Sequence, residues 1–419
     1  MLRIQFALCM IACLSGSAVA DIRTPESIDA DATHQQVAII RVSADEVPAM
    51  PINAFCLNRK GQIVAACGSG PGEVRIINDD GKVLRSWAVA VKPEAINVAN
   101  NGTILVGGEG KLMRFDATGK ELQQAESPHA AALRASVEKL RKEAVSMLTR
   151  SPNSLGSRIA LYERVIDQLE EKAQKGTLNE QEERTLKLLP ATLERFRQQA
   201  AAQPQEQKTD SGPSEDAIQQ QVQNMIKSKM RISSISSGGD HVFVATRGTT
   251  GYGYEVWRMD NELSGGSVII KGLSGCCGQM DVQCCRNGLF VAENSRHRVV
   301  RYDTNGEQVT TWGKGDRTGI NGFSSCCNPM NVCFNGAGEV FTAESGTGRI
   351  KRFNADGKFV AYVGDVDLVP GCKNVSIAVS PNTDKVYMLD LTRNHIVVMK
   401  TRPKQTGEQT TAGTQETGS

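Results

Sequence analysis

Two stretches decide the fold: residues 291–309, VAENSRHRVVRYDTNGEQV, and residues 342–360, TAESGTGRIKRFNADGKFV. Each is a short β-rich run, a polar turn, a run alternating basic with apolar residues, an Asn/Asp-Gly turn and a third run. Alternation of period two, cut by turn residues every 8 to 12 positions or so, specifies short antiparallel strands. The phrase recurs at 105–122, LVGGEGKLMRFDATGKEL, and more weakly at 65–84, AACGSGPGEVRIINDDGKVL. A damaged copy stands at 243–263, FVATRGTTGYGYEVWRMDNEL, and the last is 388–400, MLDLTRNHIVVMK. Copies four and five repeat at about 50 residues, the length of a propeller blade.

A single four-stranded sheet cannot bury both its faces, and radial stacking of several sheets does so. Six copies predict an all-β six-bladed β-propeller. The last copy lacks its outermost strand. The run Gln36-Val37-Ala38-Ile39-Ile40-Arg41-Val42 is expected to supply it, pairing both ends of the chain so that no edge remains at the seam.

Asn-Ser-Arg-His-Arg-Val-Val at 294–300 and Asn-His-Ile-Val-Val at 394–398 resemble the NHL repeat. The resemblance covers about residues 37–127 and 231–401; copies one, two, three and five lack the Asn-His pair. It implies a six-bladed propeller of the exported bacterial type. It implies no single activity, because such propellers include scaffolds and enzymes.

The full organisation reads as a signal peptide over 1–20, blades one and two over 37–127, a helical insertion over 128–230, blades three to six over 231–401 and a polar tail over 402–419. Arg3, an apolar run over 4–14 and Ala18-Val19-Ala20 form the three parts of a secretory signal. Cleavage is expected after Ala20, with a periplasmic or extracellular destination. No other apolar run approaches the ~20 residues a transmembrane helix needs. A formal net charge of +2 argues against a broadly cationic nucleic-acid binder.

The insertion changes the period. Leu133, Val137, Leu140, Ala144 and Met147, then Ile159, Tyr162, Ile166, Leu169 and Ala173, then Leu186, Leu189, Leu193 and Phe196 are spaced three and four apart. Such stripes make amphipathic helices that pack as a hairpin or small bundle. Thr177 and Glu180 fit a capping box, and Pro190 is expected to kink the third helix. A shorter helix carries Ile218, Val222 and Met225. The bundle is expected over the propeller face that carries the inter-blade loops, as a cover or a partner-binding arm.

Those loops hold the unusual chemistry. Gly275-Cys276-Cys277-Gly278-Gln279-Met280 joins copies three and four, Ser325-Cys326-Cys327-Asn328-Pro329-Met330 joins four and five, and Gly371-Cys372-Lys373 joins five and six. Cys276, Cys277, Met280, Cys326, Cys327, Met330 and Cys372 are therefore the candidate metal ligands. Paired thiolates with thioethers suit copper(I), and thiolates alone suit zinc or an iron–sulfur cluster. Export favours disulfides between the same cysteines, and the spacing leaves the two readings open. Cys67 is expected in a loop on the same face. Cys284 and Cys285 fall in an inner strand with side chains to opposite sides. Cys56 and Cys333 hold equivalent inner-strand positions, and these four read as core thiols or local disulfide partners.

No nucleophile elbow, zinc-protease helix or phosphate loop occurs, so no catalytic residue is assigned. His297 and His395 lie on equivalent loops of the repeat and read as structural. Glu293, Glu344 and Asp390 end the second strand of their copies and are expected to hold a neighbouring turn. Arg296, Arg298, Arg301, Lys314, Arg317, Arg349, Lys351 and Arg352 read as a solvated outer strand. The leading function is a non-enzymatic binding or scaffold protein with a protein or cell-surface polymer as partner. The alternatives are a soft-metal or redox site on the sulfur loops and a lyase or hydrolase in the channel.

Overall fold

The computed structural model describes residues 31–41, 49–149, 155–174, 176, 178, 180–202, 213–316, 319–324, 327–369, 371, 373 and 375–403. Residues 1–20, the expected signal peptide, Thr177, Arg317, Cys326, Cys372 and residues 404–419 of the tail lie outside them. The described residues divide into two compact units: Glu126–Arg231 with Thr246–Gly253, and the other described residues.

In the larger unit the described strands form six four-stranded antiparallel sheets. Strand β1 is His34–Arg41. Blade one is β2–β5 (Ile52–Leu57, Ile63–Cys67, Gly72–Ile77, Val83–Val89) and blade two β6–β9 (Ala95–Val98, Ile104–Gly108, Lys111–Phe115, Glu121–Glu126). Blade three is β10–β13 (Ile232–Gly238, His241–Arg247, Tyr254–Asp260, Ser267–Leu273) and blade four β14–β17 (Asp281–Cys285, Gly288–Glu293, Arg298–Tyr302, Gln308–Trp312). Blade five is β18–β21 (Asn331–Phe334, Val340–Ala343, Arg349–Phe353, Phe359–Asp365), and β22–β24 (Ile377–Val379, Val386–Asp390, His395–Thr401) begin blade six. The fourth strand of blade six is β1, which pairs antiparallel with β24 from His34↔Thr401 to Arg41↔His395. The N-terminal run closes the ring as its sequence predicts. The six inner strands touch in one cycle, β2, β6, β10, β14, β18, β22 and back to β2.

Blades are apolar on both faces because each face meets a neighbour. Ile52, Phe55, Ile63 and Ile77 of blade one pack on Tyr387, Leu389 and Ile396 of blade six and Ile40 of β1. Phe243, Tyr254 and Val256 of blade three pack on Val282, Leu289 and Val300 of blade four. Side chains also stitch each inner strand to the next. Ser234 Oγ accepts from Val282 N at 2.9 Å and Ser236 Oγ from Cys284 N at 2.8 Å. Asp281 Oδ2 accepts from Val332 N at 2.8 Å, and Asn394 Oδ1 accepts from Ile52 N across the seam at 2.7 Å.

Several sequence expectations need correction. Cys67 is not in a loop: it ends β3, fully buried between blades one and six. His297 and His395 do lie on equivalent loops, one position apart. Glu293 faces Arg298 and Asp390 faces His395 in the register, so His395 matches Arg298. His297 occupies the left-handed position (φ 53°) that Asn394 (φ 54°) takes in blade six. The basic residues are not a uniformly solvated strand. Arg349 and Lys351 lie on β20, both fully buried against Glu344. The alternation was visible, but a third strand lies inside the ring, where charges survive only when paired.

The smaller unit holds five described helices: α1 (Pro128–Ala135), α2 (Val137–Thr149), α3 (Leu155–Gln174), α4 (Glu180–Ala202) and α5 (Glu215–Lys229). Helix α4 continues through Pro190. Tyr162, Val165 and Leu169 of α3 pack on Leu189 and Leu193 of α4, and Leu133, Leu140 and Ala144 pack on Ile218, Val222 and Met225. Ser214 caps α5 by accepting from Ala217 N at 3.3 Å. Lys229 Nζ donates to Gly248 O at 2.6 Å and Gly251 O at 2.8 Å, and Gly251 N donates to Glu143 Oε1 at 2.8 Å. These bonds hold the Thr246–Gly253 segment to α2 and α5.

His129 is 1 % exposed on α1, its Nδ1 2.6 Å from Ser127 Oγ, and burial lowers its pKa to about 4. The unfolded chain, near 6.5, takes up the proton first as the pH falls. Stability of this unit is therefore expected to decline from about pH 6.5 down to about pH 4 and to level off below, losing about 3 kcal/mol. Unfolding followed by helix signal across that range checks it. His129→Gln should flatten the slope.

Candidate functional site

The loop entering blade four begins at Ser274. Gln279 N donates back to Cys276 O at 3.2 Å, with Cys277 (φ 56°) and Gly278 (φ 73°) both left-handed between them. Positive φ at both central positions is the signature of a type I′ turn. Glycine adopts it freely, whereas Cys277 pays roughly 1–2 kcal/mol for it. The turn exposes Cys277 and leaves Cys276 half-buried.

Buried polar groups fix this loop. Glu293, at the end of β15, accepts from Ser274 N at 2.8 Å and is held by Arg296 at 2.6 Å and Arg298 at 2.5 Å. Asn294 is fully buried. Its Oδ1 accepts from Cys276 N at 2.8 Å, and its Nδ2 faces Gln279 O at 3.2 Å, Cys276 O at 3.3 Å and Met330 Sδ at 3.3 Å. The loop entering blade five has the same anchor. Glu344 accepts from Ser324 N at 2.8 Å and Ser324 Oγ at 2.6 Å, and is paired with Arg349 and Lys351. Asn328 Nδ2 donates to Ser324 O at 2.7 Å, and Ser345 N donates to Asn328 Oδ1 at 2.9 Å. In blade six, Asp390 Oδ2 accepts from Val369 N at 3.2 Å. The three carboxylates thus hold neighbouring loops, the role their place in the repeat predicts.

The anchored loops bring sulfur together. Cys277 Sγ lies 3.1 Å from Cys327 Sγ and 3.6 Å from Cys276 Sγ, and the three sulfurs fall within 4.8 Å of one another. Two consecutive blades supply them. Cys327 is fully buried in the cluster that contains Met330, and Cys276 packs against that cluster. Met280 goes elsewhere: it fills the interface of blades three and four. The two methionines of the matching motifs therefore do different work. Among the candidate ligands, the described structure groups Cys276, Cys277 and Cys327, keeps Met330 beside them and sets Met280 apart. Cys326 and Cys372 lie outside the described residues.

Three thiolates this close repel one another, and a soft cation removes that cost. Sulfurs sharing one zinc at ~2.3 Å stand about 3.8 Å apart in a tetrahedral site; the two pairs here stand 3.1 and 3.6 Å apart. Among the described residues the group contains no histidine or carboxylate. Asn294 is the residue that sequence reasoning missed: it lies inside the repeat phrase, whose pattern marks a turn and gives no sign of a bond to sulfur.

The remaining described cysteines contrast with these. Cys284 packs towards blade three and Cys285 towards blade five, on opposite sides of β14. Cys56 and Cys333 share one register position, paired with Val64 and Phe341. Burial pushes the thiols of Cys56, Cys67 and Cys284 up to about 12 and raises those of Cys285 and Cys333. The thiolate is the reactive form, so iodoacetamide at pH 8 is expected to alkylate all five more slowly than Cys277 in the reduced, metal-free protein, and Cys56, Cys67 and Cys284 by more than ~100-fold. Peptide mapping after timed labelling checks it; all five should react in denaturant.

At the channel, all six inner strands or the residues just before them line a cavity of 50 Å³ that includes Glu94, Gln279, Asp281, Gln283 and Asn331. Pockets for small organic ligands run to ~300–1,000 Å³. Asp281 is buried, which raises its carboxyl pKa, and Gln283 Nε2 donates to it at 2.9 Å. Its bond to Val332 N makes it a link between blades.

No protein family and no curated protein matches the sequence. Solved structures resemble it at low identity. A virginiamycin B lyase from Staphylococcus aureus is 10 % identical, with 87 % of this chain and 99 % of that chain covered and a TM-score of 0.42. A gluconolactonase from Xanthomonas campestris is 8 % identical, with 88 % and 99 % covered and a TM-score of 0.43. The Cps50 (Swd1) β-propeller domain of Myceliophteria thermophila is 13 % identical, with 88 % and 100 % covered and a TM-score of 0.42. The propeller assignment rests on this chain's own six paired sheets.

Proposed function

We propose that this chain is an exported propeller that binds a soft metal ion, copper(I) first and zinc second, through Cys276, Cys277 and Cys327. The observation that carries the reading is the set of three sulfurs from two loops within 4.8 Å, joined by no histidine or carboxylate among the described residues. Thiolate and thioether environments favour copper(I), which accepts three ligands, whereas structural zinc sites take four. Met330 lies in the same buried cluster as Cys327. Its thioether is the group expected to move the preference towards copper. This is the alternative that the sequence sets beside a scaffold role, and it requires no catalytic residue. Kinship with NHL-repeat propellers and a periplasmic or extracellular location belong to the same proposal.

Anaerobic titration of the fully reduced protein with copper(I), against a chromogenic chelator, tests it. One tightly held ion per chain is expected, with at least a tenfold loss of affinity in Cys277→Ser. Cys284→Ser, which touches a core thiol away from the group, should bind as the parent does. Unchanged binding in Cys277→Ser would sink the assignment.

A further inference from the structure

We propose that Cys277 and Cys327 form a thiol–disulfide switch that releases the bound ion when oxidised; the release half rests on the metal-binding reading above. The pair is asymmetric. Cys277 is exposed at the tip of its turn, and Cys327 is buried, with the two sulfurs 3.1 Å apart. That is the layout of an attacking thiol with a resolving thiol behind it. Among the described residues Cys276 is the other near sulfur, 3.6 Å from Cys277. It is the poorer partner, because adjacent Cα atoms across a trans peptide stand ~3.8 Å apart, below the 4.4–6.8 Å or so that disulfides span. The five other described cysteines lie on blade strands, outside the group of three.

The oxidant is a low-molecular-weight disulfide. The Cys277 thiolate attacks one of its sulfurs, forming a mixed disulfide and expelling one thiolate, which takes up the proton Cys277 gave to solvent. The Cys327 thiolate then attacks the Cys277 sulfur and expels the second small thiolate. The protein loses two electrons, and the small disulfide gains them as two thiols. Each oxidised sulfur has given up its negative charge and is a poor ligand. Only Cys276 of the three then remains as a thiolate, so the ion leaves.

The test equilibrates the full chain, metal-free, in glutathione buffers of rising oxidised fraction, then acid-quenches, alkylates and maps disulfides by mass spectrometry. The expected product joins the Cys277 peptide to the Cys327 peptide. It persists in Cys276→Ser and is absent from Cys277→Ser. A dominant bridge within Cys276–Cys277, a dominant bridge through Cys326 or Cys372, or no bridge at any ratio overturns the switch. Copper(I) binding is measured separately on the reduced and oxidised forms, with loss of the ion expected on oxidation. If the bridge forms but the reduced protein binds no metal, the metal-binding reading and the release half fail, and the exchange chemistry stands alone. If the bridged form still holds copper as tightly as the reduced form, the release half fails while metal binding stands.

Discussion

Glu344→Gln is expected to destabilise the propeller by about 3–5 kcal/mol, the usual cost of removing one partner from a buried ion pair. Glu344, Arg349 and Lys351 are all essentially without solvent contact, and the substitution removes the carboxylate that faces both cations. Arg349 Nη1 also donates to Gly319 O at 2.7 Å and Lys351 to Gly322 O, but carbonyls do not carry the charge that Glu344 supplies. The same change weakens the anchor on Ser324 N and Oγ, and with it the segment that leads to Cys327. Urea unfolding should therefore shift, and copper affinity should fall even where the variant is folded. Glu339→Gln is the control. Glu339 pairs with Arg352 at 3.5 Å with both side chains more than a quarter exposed, and such pairs contribute ~0–1 kcal/mol.

The second large effect lies at the seam. Ile40 on β1 is 3 % exposed and packs among Phe55, Ile63 and Ile396, whereas its neighbour Ile39 is 45 % exposed. Ile40→Ala is expected to cost about 2–5 kcal/mol through lost burial and the cavity left behind. Ile39→Thr, one residue away on the opposite face, should stay within about 0.5 kcal/mol. Chemical denaturation of the two variants side by side checks both values. Equal effects would contradict the register in which β1 pairs with β24. The contrast also shows why the N-terminal run closes the ring: one of its faces completes a core shared with blades one and six.

The architecture was legible because strand period, turn residues and a 50-residue repeat are local signals. Even the borrowed strand β1 could be read, since the last copy ran one strand short. Depth in the ring was not legible. Arg349 and Lys351 alternate with apolar residues just as a solvated edge does, and only the neighbouring blade and Glu344 reveal them as a buried network. The one-position offset between the two loop histidines was hidden for a related reason. His297 and Asn394 share a backbone conformation, so the loop conserves geometry while the side chains shift by one position. At the site, the doubled cysteines were visible, but Met280 and Met330 looked equivalent. The packing of each methionine between different blades, and the bond from Asn294 to Met330, come from parts of the chain far away in sequence.

The most direct test is X-ray absorption at the copper edge on reduced protein loaded with one equivalent of copper(I). A first shell of sulfur alone at about 2.3 Å, diminished in Cys327→Ser and unchanged in Cys284→Ser, is the predicted result. A shell of nitrogen or oxygen, or a sulfur shell untouched by losing Cys277 or Cys327, would place the ion elsewhere and contradict the account.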